Sequence, residues 1–461
     1  MLLRRLAIFP GGWTLEAAEI VCSDHLISSD DVLSLLIQLT EKSMVIVDPS
    51  RRVGPRYRFL ETTRQYMQEK LAASGELVAV RTRHLNYYLD RVKEAYPELI
   101  GSHPAGWLEC IEAEHDNFRA ALDWSLDDTV DSTVGYEIAA ALGIFWELRG
   151  YYEEGRKRLG AVLSNPGAER GTLLRAQLIL QAAWLASFMG DHQESATLLE
   201  ECLPIFQQFN PEGLSGEAEV YNCYAVNGID SGDYVFALSA AEKALKIAQN
   251  ASDLRGAALA LQNLGWGLLR IGDYDRAGIQ LEEAVRLRKL LGLEANSPLQ
   301  ALGELEIRRG DIDLAERYLE ESLRCSREID YKWGIGATLG LLGWAAFIKQ
   351  DLQRAIDRLV ESLGVRRGIG DKGGMAWCIE KIAQCRLQEG QPELAASLFG
   401  CAEDLRLSVG AAIDPDFRIE YAESVKSIRE QIGQDRFQVA WQRGKGLVVE
   451  ELVAPASVAE E

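Results

Sequence analysis

Seven times along this chain a small residue is followed seven positions later by an anchor, and five positions after that by a second small residue. The anchors are Gly150, Gly190, Gly232, Gly272, Gly310, Gln350 and Gly390, separated by 40, 42, 40, 38, 40 and 40 residues. The preceding small residues are Gly143, Ala183, Ala225, Gly265, Gly303, Gly343 and Ala383; the following ones are Gly155, Ser195, Ala237, Ala277, Ala315, Ala355 and Ala395. Each anchor lies in a short polar turn such as SGDYVFA, IGDYDRA or RGDIDLA. Glycine allows the left-handed conformation that ends one helix, and the aspartate after it caps the next. Small residues on both sides let the two helices cross closely. A fixed period with three phased small positions specifies an all-α array of about seven helix pairs over residues 136–410. Such arrays present surfaces to partners and grow by stacking, without one central core.

Residues 1–75 follow a different pattern. A short apolar helix stops at Pro10-Gly11-Gly12, Thr14 is placed to cap a helix through Cys22, and Ser28 or Ser29 to cap another carrying Val32, Leu35, Leu36 and Leu39. Two β-prone runs, Met44–Val47 and Tyr57–Leu60, flank the stretch from Pro49 to Pro55 and predict a hairpin, with a helix from Glu61 to Leu71 behind it. Three helices and a hairpin make a winged-helix pattern. Residues 76–135 read as a helical connector, broken near Pro97 and Gly101–Gly106. Residues 411–461 read as capping helices (Phe417 to Ile432, Arg436 to Trp441) and a fraying Val/Ala/Glu tail.

Charge and cysteine usage narrow the function classes. The net charge of −21 falls outside the first 75 residues, which balance nine basic against nine acidic side chains. An acidic array repels nucleic acid and anionic membranes and suits basic partners or plain solubility. The eight cysteines include no CxxC pair and fall mostly in apolar helical stretches, and the five histidines lack ligand spacing, so neither a disulfide framework nor a zinc site is expected. No window approaches the ~18 consecutive apolar residues of a membrane span, and the N-terminal apolar stretch is too short for a signal peptide. A cytoplasmic, membrane-free protein is the expectation; nothing in the sequence bears on oligomeric state.

The G–x6–G–x4–A phasing, as in Gly265/Gly272/Ala277, resembles the tetratricopeptide repeat, lengthened from ~34 to ~40 residues. That longer form, together with RRLAIFPGGWTLEAAEIVC (4–22), RYRFLETTRQYMQEKL (56–71), AEHDNFRAALDWSL (113–126) and IGQDRFQVAWQRGKGLVVEELVA (432–454), resembles bacterial regulators of the signal-transduction ATPase class, the large LuxR-like and antibiotic-regulator-like proteins. The resemblance implies a non-enzymatic sensor and scaffold, needing no cofactor. It also implies an ATPase core ahead of residue 1, with the chain starting inside the winged helix. No G-x4-G-K-[ST] run occurs, and the one G-x-G-x-x-G, Gly368/Gly370/Gly373, falls between repeats with no strand before it. The DNA-reading helix-turn-helix that closes some relatives is not expected here.

The first helix of each pair in such an array lines the groove. Trp184, Asn222, Gln262, Asn263, Trp266, Arg270, Glu304, Arg308, Trp344, Glu380 and Lys381 fall on that face and are the candidate partner-binding residues, suited to a peptide, a protein or a small inducer. The competing reading has the tryptophans filling space between pairs. A bound partner would alter curvature and be felt at residues 1–75. The rival function is DNA binding through the winged helix: Arg51, Arg52, Arg56 and Arg58 on the hairpin suit phosphates, while Asp30, Asp31, Gln38, Glu41 and Lys42 suit a groove poorly. Glu114-His115-Asp116 is the one cluster of acid–base type, but neighbouring helical residues point in different directions, so a structural role is expected.

Overall fold

The structure, a computed structural model, describes residues 1–48, 55–101, 104–127, 130–165, 171–409, 413 and 417–446. Among the described residues it contains 23 α-helices, one 3-10 turn and one two-stranded sheet. Two compact units emerge, Met1–Trp146 with Glu154–Gln181, and Glu147–Glu153 with Ala182–Glu461.

The first unit opens with α1 (Leu2–Arg5), a 3-10 turn (Leu6–Ile8), α2 (Leu15–Cys22) and α3 (Ser29–Glu41). β1 (Ile46–Asp48) then pairs antiparallel with β2 (Arg56–Arg58), and α4 (Glu61–Ala73) follows. This is the expected three-helix-and-hairpin order. The Thr14 hydroxyl accepts from the Ala17 amide at 3.1 Å and so starts α2. Trp13 exchanges two backbone hydrogen bonds of 2.8 Å with Tyr57, extending the hairpin by one bridge. Its indole is fully buried against Phe9 and Phe59. The connector is α5 (Leu77–Leu99), α6 (Pro104–Ala113) and α7 (His115–Ser125).

Seven helix pairs follow, as the spacing predicts: α8 (Ser132–Arg149) with α9 (Tyr152–Leu163), α10 (Leu173–Phe188) with α11 (His192–Gln208), α12 (Leu214–Ser231) with α13 (Tyr234–Asn250), α14 (Leu254–Arg270) with α15 (Tyr274–Leu290), α16 (Asn296–Arg309) with α17 (Ile312–Glu328), α18 (Lys332–Ile348) with α19 (Leu352–Gly368), and α20 (Lys372–Gln388) with α21 (Pro392–Val409). Helices α22 (Arg418–Ile432) and α23 (Gln434–Gly444) close the second unit.

Every anchor is left-handed, with φ from 75° to 90° at the six glycines and 63° at Gln350. The turn that results is a Schellman motif: the amides of Asp273, Asp311 and Asp351 reach back to the carbonyls of Leu268, Glu306 and Ala346, each at 3.0 Å. The same aspartates cap the next helix through the amides of Arg276, Leu314 and Arg354. The junctions between pairs use a related turn, with Ser252, Asp330 and Gly370 left-handed. Asp253 and Asp371 cap α14 and α20 there. Asp330, which the sequence aligns with those two caps, instead holds the left-handed position one residue earlier, and Tyr331 begins α18 without a side-chain cap.

The glycines before three of the anchors are contact points within a pair, while Gly143 in α8 faces Gln181 of α10, in the next pair. A Cβ on Gly265 would lie 2.4 Å from Leu281 Cγ, on Gly303 2.5 Å from Leu319 Cγ, and on Gly343 2.7 Å from Leu359 Cγ. Those leucines, sixteen residues on, are fully buried. Close crossing therefore comes from the missing side chain, and each pair's core forms locally.

Candidate functional site

Within the second unit each first helix also touches the first helix of the next pair, α12 to α14, α14 to α16, α16 to α18 and α18 to α20, and α20 touches α22. The first helices therefore lie on the inner, more tightly packed side, where the sequence places its candidate residues.

Six of those candidates meet in one continuous chain. The Arg270 guanidinium lies 5.2 Å from the Trp266 ring and reaches Glu304 on α16. Glu304 also accepts from Arg308, one turn further along α16, at 2.8 Å. Burial pushes the Glu304 carboxyl up, but the two guanidiniums outweigh it and hold the group below the ordinary range. Arg308 extends over Trp344 on α18, 5.9 Å from its ring. Lys381 on α20 approaches the same ring at 5.5 Å and donates to Glu420 on α22 at 2.9 Å. Burial pulls the Lys381 ammonium down, and Glu420 offsets part of that effect. Indoles and cations thus alternate across four consecutive first helices. This face favours aromatic and acidic groups, against the basic partners that the net charge of −21 suggests.

The other candidates lie apart from this chain. Asn222 and Asn263 are buried, and Asn263 donates to the Asn222 side chain at 3.1 Å while Asn222 donates to the Gly256 carbonyl at 3.3 Å. These amides join α12 to α14. Gln262, their neighbour, is half-buried. Glu380 is fully engaged by Arg406 of α21 through two hydrogen bonds of 2.7 Å. Trp184 stacks on Phe188, which stacks on Tyr152, at centroid distances of 5.9 and 5.5 Å. Spacing placed these residues on the first helices and gave no partner for any of them. Sequence reasoning missed Trp377, Phe417 and Glu420, which complete the cluster around Lys381. For Trp377 there was a signal, its position one turn before Lys381.

The first unit places the hairpin arginines differently. Arg51 and Arg52 lie outside the described residues. Arg56 is ion-paired with Glu114 and donates to the Gly11 carbonyl at 3.2 Å, while Arg58 is exposed. Glu114 also accepts from the Tyr88 hydroxyl and from Asn117, both at 2.6 Å. His115 meets Phe145 edge-on at 5.0 Å, and Asp116 pairs with Arg119. The three residues of the acid–base cluster face three different environments, and Glu114 is a structural hub. Burial pushes the Cys22 and Cys202 thiols up to about 12, which makes both inert at neutral pH. Among the described residues no three His, Cys, Asp or Glu side chains are placed to hold a metal ion, and no helix is long and apolar enough to cross a membrane.

Residues 216–289 match the tetratricopeptide repeat family. Proteins of Mycobacterium tuberculosis and Mycobacterium bovis that carry the name of an HTH-type transcriptional regulator are 32% identical over 200 residues, which is 43% of this chain and 22% of theirs. The chain thus spans about a fifth of the length of these relatives. Two solved structures share the fold at low identity. A Rap protein complexed with competence and sporulation factor superposes with a TM-score of 0.52 at 13% identity, covering 71% of this chain and 99% of its own. The Rap conjugation gene regulator of plasmid pLS20, in complex with the Phr* peptide, gives 0.52 at 14% identity, covering 72% and 96%. Family match, phased anchors and fold agree that the second unit carries a tetratricopeptide-repeat region.

Proposed function

We propose that this chain is a non-enzymatic protein-interaction scaffold, the sensor part of a signal-transduction ATPase-type transcriptional regulator acting in the cytoplasm. A peptide, a protein segment or a small inducer binds the inner face of the repeats. The observation that carries this reading is the run Trp266–Arg270–Glu304–Arg308–Trp344–Lys381 along consecutive first helices. Aromatic and arginine side chains at a concave, partly desolvated face are the usual energetic centres of recognition. The sequence relationship to proteins named as transcriptional regulators supports the regulatory part. DNA binding through the hairpin finds less support, because Arg56 is committed to Glu114.

A displayed peptide library selected on the whole chain tests the site. Selected peptides are expected to bind Arg270→Ala at least tenfold more weakly, and to bind Arg354→Ala, on the outer helix α19, as they bind the parent. Equal binding to parent and Arg270→Ala by every selected peptide would sink the inner-face reading.

A further inference from the structure

The far end of the inner face is filled by the chain itself. Phe417, the residue that precedes α22, is only 9% exposed. Its ring meets Trp344 and Trp377 edge-on, with centroids 5.3 and 6.1 Å away. Two cations approach the same ring, the Lys381 ammonium at 4.6 Å and the Arg308 guanidinium at 5.4 Å from its centroid. One turn along α22, Glu420 accepts the 2.9 Å hydrogen bond from Lys381. The pocket walls come from α16, α18 and α20, and the occupant comes from outside the repeats.

Other residues of the last two helices, Val425, Ile428, Phe437 and Trp441 among them, close the stack without Phe417. Helix α23 already seals α21: a Cβ on Gly444 would lie 1.8 Å from the Ser397 carbonyl oxygen, and a Cβ on Gly400 2.2 Å from that of Trp441. Trp441 stacks on Phe399 and is backed by Phe437, and α22 adds Tyr421, 5.1 Å from the Phe399 ring, with the buried Val425 and Ile428. A cover at Phe417 needs only apolar surface. What surrounds it is two indoles and two cations, of which Lys381 has a side chain only 3% exposed. An aliphatic side chain there would forgo both cation–π contacts. A buried ammonium without a carboxylate partner is strongly unfavourable. The lining therefore selects an aromatic ring followed by an acid one helical turn later.

We infer that the pocket of Arg308, Trp344, Trp377 and Lys381 is a recognition site for an acidic helical segment of a partner protein carrying an aromatic residue and, three positions on, a carboxylate, and that Phe417 and Glu420 occupy it in the free chain as an internal competitor. The inference rests on the reading of the inner face as the partner site. It adds the chemistry of the partner and a threshold, since a tethered competitor lowers the apparent affinity of any ligand that must displace it.

The test uses the chain's own segment as the probe. A fluorescent peptide of residues 417–432 is titrated into the full chain and into the full chain carrying Phe417→Ala and Glu420→Gln, followed by anisotropy. The variant, with its circular dichroism and cooperative unfolding intact, is expected to bind at least tenfold more tightly than the parent. Replacing the aromatic or the acid in the peptide is expected to remove that gain. Adding Lys381→Met to the variant is expected to abolish the preference for the acid. If the double variant does not fold, Glu420→Gln alone, at a side chain 38% exposed, is expected to strengthen binding about threefold, one lost charge-assisted contact. Equal binding by parent and folded variant, or indifference to the peptide's aromatic and acid, overturns the inference. Library peptides that still depend on Arg270 would in that case uphold the proposed function and remove only the internal competitor.

Discussion

The N-terminal module and the repeat array are both made of short helices, yet they are held by different kinds of contact. In residues 1–75 and the connector, the decisive bonds link distant parts of the chain. The buried Arg5 guanidinium donates to the Cys22 carbonyl at 2.8 Å, to Asp24 at 2.7 Å and to Glu76 at 2.8 Å. Glu114 ties Arg56, Tyr88 and Asn117 together, and Asn117 in turn donates to the Gly12 carbonyl at 2.8 Å. In the array, each anchor turn, aspartate cap and glycine–leucine crossing joins residues within a single repeat. The array also carries pairs between repeats, such as Arg270–Glu304 and Arg149–Asp330. It repeats its turns and crossings, however, whereas the singular module depends on a few polar hubs, each with no second copy to compensate.

Four outcomes would break or sharpen that contrast. The largest effect is expected for Arg5→Met, which leaves Asp24 and Glu76 without their buried partner and should cost the first unit about 4 kcal/mol. Calorimetry should show its transition lowered, with that of the repeats unchanged; a loss below about 1 kcal/mol would mean the hub does not hold the module. Hydrogen bonds from Arg5 and Arg4 bring the Glu76 carboxyl down from 4.5 to about 2. Its contribution is therefore complete above pH 4.5 and lost as the pH falls towards 2.

Glu147, in the second unit, should behave with the opposite sign. Burial and the nearby Glu219 carboxylate push its pKa from 4.5 up to about 7, so the fold favours its protonated form. The second unit should lose stability as pH rises from 4.5 through 7. Glu147→Gln should remove that slope and gain about 2 kcal/mol at alkaline pH, read from urea midpoints across pH. An unchanged slope would show that Glu147 does not set it.

Gly265→Ala follows, at a cost of about 1.5 kcal/mol, because the new methyl meets Leu281 at 2.4 Å. Ala225, at the same phase, is accommodated opposite Ala241, and both are fully buried. A neutral Gly265→Ala would show that the crossings are looser than the close approach implies. The smallest effect is expected for Gln350→Gly, which relieves a left-handed non-glycine residue at φ 63° and should gain about 0.5 kcal/mol by thermal melting.

Much of the array was legible because its signals are local. The Gly–Asp turn, the capping aspartates and the small crossing residues act within a few turns of helix, so spacing alone locates them. Asp330 shows the limit of that reading: it resembles the caps at Asp253 and Asp371 but holds the preceding left-handed position. The candidate site was legible by helix and not by partner. Arg270, Arg308, Trp344 and Lys381 join one chain of contacts across successive first helices, whereas Asn222, Asn263 and Glu380, equally polar and equally phased, pair elsewhere. Whether a polar residue on the inner face meets a partner or a neighbouring helix depends on residues some 26 to 41 positions away.

By itself, then, the amino-acid order determined the repeating unit, its length and its turns, because all of these follow from backbone sterics, capping and small-residue spacing. Only the tertiary structure decided that Glu114 is a hub, that Arg56 is committed to it, and that Phe417 and Glu420 lie in the pocket of Trp344, Trp377, Arg308 and Lys381. Those contacts join elements with no shared period. Their free energy comes from pairing buried charges and rings across the fold, and no local pattern encodes which distant residue will be there to meet them.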